Sequence, residues 1–80
     1  DTSFTIVFTE ARNSSDAGEP YYILRATDVS DGTYIDVSSV HGELSMYGAK
    51  MLSGETYSVD VLTVVDSSMV SHGELFEIVA

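Results

Sequence analysis

The stretch Met51-Leu52-Ser53-Gly54-Glu55-Thr56-Tyr57, continued by Ser58-Val59-Asp60-Val61-Leu62-Thr63-Val64-Val65, decides how this chain folds. A turn delivers a tyrosine into a strongly alternating strand. In Greek-key β-sandwiches a tyrosine near the start of strand F returns its hydroxyl to the backbone a few residues upstream, which locks the crossover between the two sheets. The expectation is therefore a tyrosine corner, with Tyr57 buried and its hydroxyl bonded to backbone at Met51 or Leu52. Replacing Tyr57 by Phe would then leave a backbone acceptor unpaired.

Outward from this corner the chain reads as strands and turns, with no sustained helical period. Phe4-Thr5-Ile6-Val7-Phe8-Thr9 alternates, with Phe4, Ile6 and Phe8 on one face. The polar loop Arg12-Asn13-Ser14-Ser15-Asp16-Ala17-Gly18-Glu19-Pro20 follows, and Pro20 biases Glu19 to an extended conformation. Tyr21 to Thr27 is the next strand, with Tyr22, Leu24 and Ala26 inward. Asp28-Val29-Ser30-Asp31-Gly32 makes a hairpin connection to residues 33–37. Residues 43–47 supply another strand, with Leu44 and Met46 inward. A last hairpin is expected between residues 57–65 and 73–80 through a loop over 66–72. Phe4, Ile6, Phe8, Tyr22, Leu24, Leu44, Met46, Val59 and Val61 are the expected core. If Phe8 is fully inward, Phe8→Ala should cost about 3 to 5 kcal/mol. His-Gly-Glu-Leu occurs twice, at His41 to Leu44 and at His72 to Leu75, and shared turn chemistry before a strand accounts for it.

Eighty residues make one domain, residues 1–80, with room for one thin core. There is no cysteine, so no disulfide supports that core, and packing or neighbouring domains must do so. Cysteine absence fixes no compartment. Three basic residues, Arg12, Arg25 and Lys50, stand against thirteen carboxylates, for a formal net charge of -10. Nucleic acid and anionic membranes are improbable partners, since phosphate binding needs a positive patch. No apolar run approaches the roughly 20 residues of a membrane span, and a secreted precursor would have shed its signal peptide before Asp1.

Three landmarks in register carry a family resemblance. The strand from Phe4 to Thr9, the pair Tyr22 and Leu24, and Met51, Gly54 and Tyr57 of a Leu-x-Pro-Gly-x-x-Tyr pattern resemble a fibronectin type III domain from strand B to strand G. Phe8 stands where the family has a core Trp, Met51 replaces Leu and Ser53 replaces Pro. The resemblance implies an all-β, two-sheet Greek-key sandwich and the immunoglobulin-like architecture. It also implies a module of adhesion proteins or receptor ectodomains. In the family a strand A precedes strand B, whereas Asp1 lies almost at the start of the strand at Phe4. The expectation is an open edge along Phe4, Thr5, Ile6, Val7, Phe8 and Thr9, a template for a strand from another chain or from an upstream segment of the same protein.

Candidate chemistry is thin. Asp28-Val29-Ser30-Asp31-Gly32-Thr33, with Asp36 further on, has the outline of a calcium loop, but calcium takes six to eight oxygens and no full loop is spelled out. His41 with Glu43 and His72 with Glu74 fall short of the converging ligands of a zinc site. No Gly-x-Ser-x-Gly elbow exists, and no catalytic residue, metal ligand or cofactor site is assigned. Asn13-Ser14-Ser15 is a glycosylation sequon in an expected exposed loop, and Met69 with Val70 is a candidate contact surface on the last loop. The reading is a non-enzymatic extracellular or cell-surface interaction or spacer module, one unit of a larger protein, whose partners are neighbouring domains or other chains. The alternative is a structural subunit of an extracellular filament that self-assembles by β-strand complementation at the open edge.

Overall fold

The computed structural model describes residues 2–10 and 18–80. Within them the chain is nearly all β, in two antiparallel sheets. β1 (Phe4–Val7) pairs with β4 (Glu43–Met46). β2 (Tyr21–Asp28), β3 (Tyr34–Ser39), β5 (Thr56–Val65) and β6 (Ser68–Val79) form a four-stranded sheet in the order β3-β2-β5-β6. A short 3-10 turn at Gly48–Lys50 follows β4.

Period-2 alternation sets which side chains face the other sheet. Register then stacks them in rows. Across β2 and β5 the inward pairs are Tyr22 with Thr63, Leu24 with Val61, Ala26 with Val59 and Asp28 with Tyr57. Leu44 and Met46 of β4 and Met51 complete the buried cluster, and Phe4, Ile6 and Phe8 pack against it. A fully buried side chain such as Leu24 contributes about 1.5 to 3 kcal/mol by leaving water. Thr5, Val7 and Thr9 point outward and are exposed, whereas Phe4, Ile6 and Phe8 are only half-buried. Phe8 lies just beyond β1, so the full loss of a buried aromatic expected of Phe8→Ala is reduced accordingly.

The four-stranded sheet buries side chains on its other face as well. Ile23 and Leu62, directly paired, form a second buried cluster with Val64. The run Val61-Leu62 to Val64-Val65 carries this signal, because a strand covered on both faces loses its alternation.

The last hairpin differs most from expectation. β6 starts at Ser68, five residues before the expected Gly73, and Val65 pairs with Ser68 across a two-residue turn. Asp66 and Ser67 both hold positive φ, at 49° and 64°, the conformation a tight hairpin of this kind demands. Met69 and Val70 are therefore strand residues opposite Val64 and Thr63, although both stay exposed. Two register shifts interrupt β5 and β6 near Asp60, and the bulge between Glu74 and Phe76 leaves Leu75 unpaired.

The two His-Gly-Glu-Leu copies serve different purposes. Gly42 lies so close to the Phe8 carbonyl that a Cβ would collide with it, whereas Gly73 holds φ at +82° inside β6 with open space around it. Shared turn chemistry is thus not the reason for the repeat.

Candidate functional site at the outer edge of β1

β1 has a strand on one side. The Phe8 N–H donates to the Gly42 carbonyl at 2.9 Å, and Phe4 and Ile6 stand opposite Met46 and Leu44. In an antiparallel pair hydrogen-bonded and non-hydrogen-bonded positions alternate. Phe4, Ile6 and Phe8 accordingly turn their backbone polar groups toward β4. Thr5 and Val7 turn theirs away, and the close Thr5 Oγ1 to Ser45 Oγ contact of 2.8 Å fits a non-hydrogen-bonded pair. Among the described residues no backbone group pairs with Thr5 or Val7 on that outer side, and Val7 is 76% exposed.

Beside this edge the two sheets part and leave a groove of about 310 Å3. Ile6, Phe8 and Thr9 form one wall, and Leu75 and His72 of β6 form the other. Tyr22, Val61 and Thr63 line it between them. Phe8 meets Tyr22 edge to face, with ring centroids 4.8 Å apart, and a second such contact joins Phe4 to Phe76 at 5.3 Å. The Phe4 to Phe76 contact bridges the two sheets near the start of β1. Among the described residues the flank stays open from Ile6 to Thr9. The bulge in β6 is what aims Leu75 at this space.

Polar groups mark the rim. His72 Nε2 and Thr63 Oγ1 share a hydrogen bond of 2.7 Å. A Glu10 carboxylate oxygen accepts the Gly42 N–H at 3.2 Å and Glu43 stands opposite Val7, whereas Glu74 pairs with Asp60 in the row of Arg25. The described cations lie elsewhere. Arg25 is engaged by Asp36 in a two-pronged pair on the outer face of the four-stranded sheet and sits 4.0 Å over the Tyr34 ring. This pairing pushes the Arg25 guanidinium further above its already high value. Lys50 ends the 3-10 turn, whose Gly48 N–H donates to Ser3 Oγ at the opposite end of β1.

The corner residues come together. Tyr57 is buried at 3% exposure, and its hydroxyl accepts the Leu52 N–H at 2.9 Å. The backbone partner is therefore a donor, where an acceptor was expected. Ala80 closes the same turn, accepting the Gly54 N–H and donating to the Glu55 carbonyl.

Asp28 was expected as a turn residue at the head of the calcium-like outline, yet its parity with Tyr22, Leu24 and Ala26 carries it to the buried end of the core opposite Tyr57. Its Oδ1 accepts the Ser30 hydroxyl and N–H, while its Oδ2 is buried with no donor. The Ser30 hydroxyl first, then the Ser30 N–H, hold the Asp28 carboxyl below the usual range; burial opposes this, and the Glu55 carboxyl adds to the lowering.

The other oxygens of the calcium-like outline are used locally. Asp31 Oδ1 caps Thr33, and Asp36 binds Arg25. Among the described residues no group of three or more His, Cys, Asp or Glu is placed to hold a metal ion. No helix there is long and apolar enough to cross a membrane. Asn13 and its sequon lie outside the described residues.

Comparison with protein families, with curated proteins and with solved structures finds no match.

Proposed function

We propose that the chain is a fibronectin type III-like Greek-key sandwich that serves as a non-enzymatic interaction module of a larger extracellular or cell-surface protein. Strand order is the observation that carries this reading. Lettered in chain order as B, C, C′, E, F and G, the strands β1 to β6 put B beside E in one sheet and C, F and G in the other, as in immunoglobulin-like sandwiches. The Tyr57 to Leu52 hydrogen bond across the turn into β5 supports the same assignment. The acidic surface suits a soluble module and disfavours nucleic acid. Function follows from the site and not from the fold, and the interaction is assigned to the unpaired edge of β1.

Labelling of intact producing cells with a membrane-impermeant amine reagent tests the setting, since Lys50 is exposed. Labelled protein is the expected result; protection until the cells are lysed contradicts an extracellular module.

The same edge favours a second reading, a filament subunit that takes a strand from its neighbour. Sedimentation separates the two. A chain that forms long assemblies, dispersed by Val7→Pro, supports the filament; a monomer at all concentrations supports the module.

A further inference from the structure

We infer that the groove beside β1 accepts an extended cationic segment of another protein, in which apolar side chains alternate with Lys or Arg. This rests on the interaction-module reading above and names the partner's chemistry. The backbone fixes the mode. Thr5 and Val7 offer their N–H and carbonyl groups on the side away from β4, so an added strand pairs at these two residues. Period 2 then fixes the partner's pattern. Side chains opposite Thr5 and Val7 point outward with them, while those in between point inward, over the groove walled by Ile6, Phe8 and Leu75. The inward positions are apolar because the walls are apolar.

Charge fixes the outward positions. Glu43 stands opposite Val7, two strand spacings or about 10 Å from the added strand and within reach of a long cationic side chain. Glu10 follows Thr9, which lines the groove, and its carboxylate accepts the Gly42 N–H. The described cations, Arg25 and Lys50, are remote from it. A net charge of -10 also sets copies of this chain against one another, which favours a basic partner over a second copy.

The test is an NMR titration of the 80-residue chain with three synthetic peptides. One alternates valine and lysine, one alternates valine and glutamate, and one holds the valine and lysine in two blocks. The alternating lysine peptide is expected to bind, to slow exchange of the Thr5 and Val7 amides, and to weaken as ionic strength rises from about 0.02 to about 0.5 M. The other two peptides should bind at least about tenfold more weakly. Val7→Pro removes an N–H that β4 does not use, and should weaken binding by about tenfold or more. Leu75→Lys, at an exposed rim position, gives a second variant with the same expectation should the proline disturb folding.

Equal binding of the glutamate peptide or of the block peptide overturns the proposal. So does self-association of the free chain through Thr5 and Val7, which would make a second copy the occupant. Binding that maps to the edge of β3 or β6 overturns it too, while leaving the interaction-module reading intact. Absence of binding by every peptide, with the protein labelled on intact cells, likewise rejects the groove and keeps the setting.

Discussion

β1 and β6 are the strands that flank the groove, and both lie at the edge of a sheet. Their edges are built differently. β6 runs over twelve residues, is interrupted by two register shifts, and carries Glu74 and Glu77. Bulges and charges are the devices by which natural sheets discourage pairing with another chain. β1 has only four residues but no bulge, proline or charge, and its outward residues Thr5 and Val7 favour a pleated strand. The difference teaches that two exposed edges on one molecule need not be equivalent. Only one of them presents an undistorted ladder beside an apolar groove.

The largest expected effect asks whether β1 depends on the core that β2 and β5 build. Leu24→Ala, at a fully buried site, should cost about 2 to 5 kcal/mol in a urea titration. Phe8→Ala, half-buried beside the open flank, should cost roughly half the full aromatic penalty, about 1.5 to 2.5 kcal/mol. Equal losses would show that β1 is as deeply built in as β2, and the contrast between edge and centre would fail.

Tyr57→Phe comes next. It keeps the ring in the core and leaves the Leu52 N–H without its acceptor, so thermal unfolding should report a loss of about 1 kcal/mol. An unchanged melting temperature would mean that the corner does not hold the strand on which β6 depends.

Ser67→Gly sharpens the comparison from the β6 side. Ser67 holds φ at 64°, which glycine adopts without strain, so the variant should gain about 0.5 to 1 kcal/mol. Destabilisation would contradict the two-residue turn.

The smallest effect is confined to acid. The folded Asp28 carboxyl is held below its unfolded value, so its ionised form favours the folded state. That stabilisation is complete above the unfolded value of about 3.9 and is lost as pH falls through the lower folded value. Asp28→Asn should therefore flatten the decline in stability below about pH 4, measured by urea titration at each pH. A decline as steep as that of the parent would show that Ser30 does not hold this carboxyl ionised.

Much of this was written in the chain at short range. Alternation places Phe4, Ile6 and Phe8, Tyr22, Leu24 and Ala26, and Leu44 and Met46 on their faces, because period 2 is a local property. The turn before Tyr57 marks the corner for the same reason. The tight turn at Asp66 and Ser67 escaped because neither residue is the glycine that positive φ usually selects, and the neighbouring polar residues read as a long loop. Asp28 escaped because a carboxylate next to Ser30 and Gly32 signals a turn, while its burial depends on pairing with Tyr57, distant in sequence. The edge of β1 was legible as an apolar strand. The groove was not, since it depends on where β6 lies across from β1 and on a bulge that re-aims Leu75. Neither is encoded by any local spacing.

Amide hydrogen exchange along β1 in the free protein tests the central claim most directly. The Ile6 and Phe8 N–H groups face β4 and should be protected, whereas those of Thr5 and Val7 should exchange at nearly the rate of an open chain. Equal protection of all four would place a strand against the outer edge already and contradict an accessible ladder beside the groove.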